Sequence, residues 1–150
     1  VNDIGITWDN LFLNADLEFQ DGDLKRDAGL TTAYLMSIYT DRRASIEDNP
    51  DDINNLRGWW GDNTTDGDEI GSKLWLLDRA STIEENVNLA KAYLEDALQW
   101  AVDDEVVSEN IITTERQGRN LIYTVQAKKD SDILVSIKFL DLWEAQFELT

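Results

Sequence analysis

The sequence has 150 residues, of which 31 are Asp or Glu and 13 are Lys or Arg, for a formal net charge of −18. It contains no Cys and no His, which excludes disulfides, zinc fingers, Cys nucleophiles and Ser-His-Asp triads. A surface this acidic repels phosphate backbones and anionic lipids, so neither nucleic acid nor membrane is an expected partner.

The length suits one domain spanning residues 1–150. An apolar share of 42% with six Trp argues for a packed core rather than disorder. No apolar run approaches the roughly 20 residues that a membrane helix needs. The opening VNDIGITWD has no signal-peptide pattern. The lack of Cys is compatible with a cytosolic origin.

The N-terminal stretch alternates at Ile4 and Ile6 and again at Leu17 and Phe19, with Asp21-Gly22 as a turn signal before Leu24. It reads as a short strand or hairpin. A helix is expected over about 31–44, with Thr31 or Thr32 as cap. Leu30, Ala33, Tyr34 and Ile38 follow helical spacing, widened by Leu35 and Tyr39. Arg42 and Arg43 then fall in its last turn, where cations suit the helix dipole. Residues 46–72 read as a long polar loop, which at that length is more than a connector.

The clearest helix is expected over about 82–102, opened by a capping box at Ser81/Glu84 or Thr82/Glu85. Ile83, Val87, Ala90, Leu94, Ala97, Leu98 and Ala101 form its apolar stripe. Three β-branched, alternating segments follow, Ile111–Glu115, Leu121–Ala127 and Ile133–Phe139, separated by RQGRN and KKDSD turns. The expected fold is α+β, with both helices packed on a C-terminal antiparallel meander.

Chemistry-bearing patterns are few. Carboxylate pairs could serve a hydrolase, but so many acids create accidental pairs and the pattern carries little information. DNTTDGDEIGSK resembles a calcium loop with Asp62, Thr64 and Asp66 at ligand positions, yet Lys73 stands where the bidentate Glu belongs. A solvated turn is the simpler reading, and no metal or cofactor is expected. Trp75, Trp100 and Trp143 are assigned to the core or its rim. Trp59 and Trp60 differ, because they lie in the polar loop as RGWWGD (57–62). Adjacent residues of an extended segment point opposite ways, so one packs inward and the other is free, without the sequence saying which. A free Trp beside Arg57 suits a protein interface or a sugar platform.

The order of motifs is recognisable. DGDLKRDAGLTTAYLMSIYTDRRA, RGWWGD, GSKLWLLDRA and a helix ending ALQWAVDD resemble the small baseplate protein family of Mu-like contractile-tailed phages and prophages. The resemblance runs from about residue 15 to about residue 125 and loosely on to FLDLW. It implies a structural, non-enzymatic component of a phage tail baseplate, made in the host cytoplasm. Its partners would be other baseplate wedge proteins and also tail tube or sheath, with copies following the sixfold symmetry of the tail. The matching positions include Asp41, Arg42, Arg43, Arg57, Gly58, Trp59, Trp60, Gly61, Asp62, Leu74, Trp75 and Leu77. Among them Arg42, Arg43, Arg57, Trp59, Trp60 and Asp62 are the expected partner-binding residues. Wedge relatives elsewhere carry a Glu-Pro-Arg motif, whereas the only proline here lies in DNPDD, so residue roles do not transfer from those relatives. From the residues alone, a carbohydrate-binding module using the loop tryptophans and a carboxylate hydrolase stand as rivals.

Overall fold

The computed structural model describes residues 3–9, 14–24, 26–27, 30–64, 67–77, 83–117 and 120–140. Six short strands come first: β1 (Asp3–Ile4), β2 (Ile6–Asp9), β3 (Asn14–Leu17), β4 (Phe19–Gln20), β5 (Asp23–Leu24) and β6 (Arg26–Asp27). Helices α1 (Thr31–Tyr39) and α2 (Ile83–Asp103) flank the long loop. Strands β7 (Glu109–Gln117), β8 (Asn120–Lys129) and β9 (Asp132–Leu140) close the described chain. The fold is α+β, as the sequence predicts.

The chain divides into two compact units, one holding the described residues up to Leu35 and from Trp100 onward, the other Met36–Gln99. In the first, the N-terminal strands form three antiparallel pairs, β1 with β6, β2 with β3 and β4 with β5. The predicted Asp21-Gly22 turn joins β4 to β5, with Phe19 opposite Leu24. Both turn residues take positive φ, 54° and 86°, the geometry a two-residue hairpin requires. Thr32 is not a simple cap: its hydroxyl donates to Ile4 O at 3.0 Å and accepts from Ile6 N–H at 3.4 Å.

β7, β8 and β9 form the expected meander in the order β7-β8-β9. Register places Ile112 opposite Val125 and Val125 opposite Ile137, with Tyr123 opposite Phe139. All five are buried, because a period of two sends them to one face. The Tyr123 and Phe139 rings stack at 5.4 Å. A bulge at Ala127/Lys128 leaves Leu134 between the paired Ile133 and Val135. In the same unit the Tyr34 hydroxyl donates to Asn110 Oδ1 at 2.6 Å, and the Trp100 ring meets Tyr34 edge-on at 6.1 Å. Burial raises the Tyr34 phenol to about 12 against the smaller, opposing effect of that hydrogen bond.

α2 matches its expected range closely. Ala90, Leu94, Ala97, Leu98 and Ala101 are buried, while Glu84, Glu85, Lys91, Glu95 and Asp96 are exposed. Ser81, Thr82 and the Ile83 side chain, on which the capping boxes turn, lie outside the described residues, as do Trp143 and the FLDLW tail beyond Leu140.

α1 is shorter than the periodicity suggests. It ends at Tyr39, so Arg42 and Arg43 are not in its last turn. The cause is non-local. Beyond Thr40 the backbone pairs in parallel with the segment around Ser72: Ser72 N–H donates to Thr40 O at 2.9 Å and Arg42 N–H to Ser72 O at 3.0 Å. The buried Ser72 hydroxyl also donates to Ile38 O at 2.5 Å, satisfying a carbonyl that the helix end leaves open. Among the described residues, no helix is long and apolar enough to cross a membrane.

Leu94 is fully buried on α2. Leu94→Ala is expected to cost about 2–5 kcal/mol through lost burial and a residual cavity. Urea denaturation followed by Trp fluorescence would show the loss as a lowered midpoint.

Candidate functional site

Three separated sequence segments meet in the second unit. The first is Asp41–Ala44, which leaves α1 extended. The second is the RGWWGD turn at 57–62, and the third is Ser72–Trp75. Ala44 N–H donates to Leu56 O at 2.9 Å, and Arg43 Nη1 donates to Arg57 O at 3.3 Å, joining the first to the second. The Trp75 indole donates to Arg42 O at 2.8 Å, joining the third to the first. The Arg57 guanidinium then lies over the Trp75 ring, 4.5 Å from its centroid, a cation–π geometry. Its Nη1 donates to Asp41 Oδ2 at 2.9 Å. Arg57 thus reaches both other segments.

Arg42 points elsewhere. Its Nη1 pairs with Asp96 Oδ2 on α2 at 2.5 Å, and its Nη2 donates to Glu69 O at 2.8 Å. Asp62 closes the turn from within: its Oδ2 accepts from Trp59 N–H and its Oδ1 from Ile70 N–H, each at 3.3 Å. Those oxygens, read above as candidate calcium ligands, here accept from backbone donors. Lys73, at the twelfth position of that frame, pairs with Asp48 instead at 2.8 Å. Asp66 lies outside the described residues.

The choice between the two tryptophans is settled by glycine. A Cβ at Gly61 would lie 2.0 Å from Cζ3 of Trp59, so the Trp59 ring occupies the space that any side chain at 61 would need. Trp59 is half-buried, whereas Trp60 is 78% exposed. The two rings are tilted by 44°, with centroids 5.1 Å apart. Gly58 has φ of +106° and a backbone that passes close to Arg43: a Cβ would stand 2.9 Å from Arg43 Cβ. Side chains rarely tolerate either demand.

Ser45–Asp48 supplies a clamp that the sequence reading missed. Asp48 Oδ2 accepts from Lys73 Nζ at 2.8 Å, from Ser45 N–H at 2.7 Å and from the Ser45 hydroxyl at 3.0 Å. These contacts, Lys73 first and then the Ser45 amide, hold the Asp48 carboxyl below the ordinary carboxylate range. The signal was present as SIED, a Ser followed three residues later by an acid.

The arrangement invites comparison with known proteins. The family model described as phage protein GP46 matches residues 30–132, a span that includes every segment of the site. The chain belongs to the phage GP46 family. A Mu-like prophage protein gp46 from Haemophilus influenzae is 39% identical over 126 residues, covering 83% of this chain and 85% of that protein. The baseplate protein gp46 of Escherichia phage Mu is 36% identical over 138 residues, covering 89% of this chain and 92% of that protein. The resemblance inferred from motif order is therefore correct at the level of the family.

Within this GP46 chain, all six residues singled out in the sequence fall in one unit. Arg42, Arg57 and Asp62 are engaged in internal hydrogen bonds, Arg43 frames the turn, and Trp60 faces outward.

Two outcomes are expected. Gly61→Ala is expected to destabilise by about 1–3 kcal/mol, because the Trp59 ring must move, whereas Trp60→Ala is expected to leave the urea midpoint nearly unchanged. The second concerns acid. Because the folded Asp48 carboxyl is depressed, its contribution is complete above the ordinary carboxylate value and is lost as pH falls through that value towards the folded one. Urea midpoints measured down the acidic range should fall less steeply in Asp48→Asn than in the wild type.

Proposed function

We propose that this chain is a structural component of a contractile phage tail baseplate, and that it holds neighbouring baseplate proteins through the turn at 57–62. Relatedness to the baseplate protein of phage Mu over 92% of that protein supports the setting. The observation that carries the interface is Trp60. It is a large aromatic left 78% exposed on a turn fixed by Gly58, Gly61, Asp62 and Arg57. An exposed, immobilised Trp is the typical anchor of a protein interface. Because the turn is ordered before binding, little entropy is lost on docking. The finer placement in the wedge, around tail tube and sheath with sixfold copies, rests on the order of the DRRA, RGWWGD and SKLWLL motifs. In this reading the chain positions other proteins and carries out no reaction.

Co-expression with neighbouring tail proteins, followed by light scattering of any complex, tests the reading. A complex of fixed stoichiometry is expected, and Trp60→Ala should weaken it roughly 30-fold or more while the free subunit stays folded. A chain that elutes alone with every neighbour would count against the baseplate reading.

A further inference from the structure

Beyond the Trp60 turn, residues 45–55 form a closed excursion whose ends are joined by the Ala44–Leu56 hydrogen bond. It is ordered from inside. The Asp48 clamp ties its first limb to Lys73, Pro50 is buried at its middle, and Asp52 organises its second limb. Asp52 Oδ1 accepts from Asn54 N–H at 2.9 Å and its carbonyl from Asn55 N–H at 3.1 Å. A loop so constrained has every means to turn its apolar side chains inward. It does the opposite: Ile46 is 72% exposed and Ile53 is 62% exposed. With Trp60, these are the most exposed large apolar residues among those described in this unit.

The charge around them is one-sided. The excursion carries Glu47, Asp48, Asp51 and Asp52 and no base. Only Asp48 forms an ion pair among the described residues. The described bases of the unit are already in use, Arg42 on Asp96, Arg57 on Asp41, Lys73 on Asp48, Lys91 towards Glu95, and Arg43 on the Arg57 carbonyl. The exposed isoleucines therefore stand in a segment whose other carboxylates, Glu47, Asp51 and Asp52, form no ion pair among the described residues. A second copy of a chain with net charge −18 would meet like charge there.

We infer that residues 45–55 are a docking element for a tail protein whose contact face is basic and carries apolar recesses for Ile46 and Ile53. This deepens the baseplate reading and rests on it.

The test uses the full chain, co-expressed in turn with each neighbouring tail protein, and two pairs of substitutions at exposed positions. Ile46→Ser with Ile53→Ser removes the apolar contacts, and Glu47→Lys with Asp51→Lys reverses the charge. Urea midpoints confirm that both variants fold. If the inference holds, one neighbour binds the wild type, the serine variant binds it at least about tenfold more weakly, and the lysine variant loses both affinity and salt dependence. If a complex forms and neither pair alters its affinity or its response to salt, the docking element is wrong while the baseplate reading stands. If no neighbour binds the wild type, both fall together. Self-association abolished by the serine variant would overturn the basic partner in favour of a second copy.

Discussion

Two backbone hydrogen bonds, Ser72 N–H to Thr40 O and Arg42 N–H to Ser72 O, set the geometry on which the rest of the second unit depends. They require an approach so close that a Cβ at Gly71, whose φ is +108°, would lie 2.3 Å from the Thr40 oxygen. Once that contact forms, α1 cannot continue and the chain after it must run extended. Arg42 and Arg43 then leave the helix axis with alternating directions, one reaching Asp96 and the other the Arg57 carbonyl. The same pairing brings Trp75 to the Arg42 carbonyl, and Trp75 in turn provides the platform for Arg57. A single glycine near the end of the long loop thus governs where four cationic or aromatic side chains can go.

That network also explains the electrostatic character of the unit. An acidic chain could scatter its few bases over the surface and moderate its field. Here they are drawn into internal contacts. The ion pairs are partly exposed, so each contributes modestly to stability. Their larger effect is on what remains outside. Arg42, Arg57 and Lys73 each neutralise one carboxylate, and the acids left over give the field that would steer the basic partner proposed above and hold copies of the chain apart.

The parts of the structure legible in the sequence are those governed by local periodicity. The α2 stripe from Ala90 to Ala101, the alternation of β7 to β9 and the Asp21-Gly22 turn each depend on neighbours within a few residues. The end of α1 was not legible, because Asp41 is stopped by Ser72, far along the chain. Nor was the meeting of DRRA, RGWWGD and SKLW, since motif order records no spatial contact. RGWWGD itself contained more than the alternation argument used. Alternation of an extended segment treats Trp59 and Trp60 as equivalent, but only Trp59 has a glycine two positions on whose empty Cβ site its ring can occupy. Fold class and family followed from pattern, whereas the direction of each site residue required the long-range contacts.

The proton affinities of this unit bear on what kind of work it can do. Acid–base catalysis near neutrality needs groups brought towards pH 7 from either side. The described groups that the fold perturbs here move away from it. Asp48 is held more firmly ionised by Lys73 and the Ser45 amide. Tyr39 is held more firmly neutral by burial, and Tyr93 by burial and by the Asp48 charge. Such shifts hold each of these three groups more firmly in the charge state it has near neutral pH. A loop that holds the Asp48 carboxylate ionised while Ile46, Ile53 and Trp60 face outward offers the fixed, exposed surface on which the proposed recognition rests.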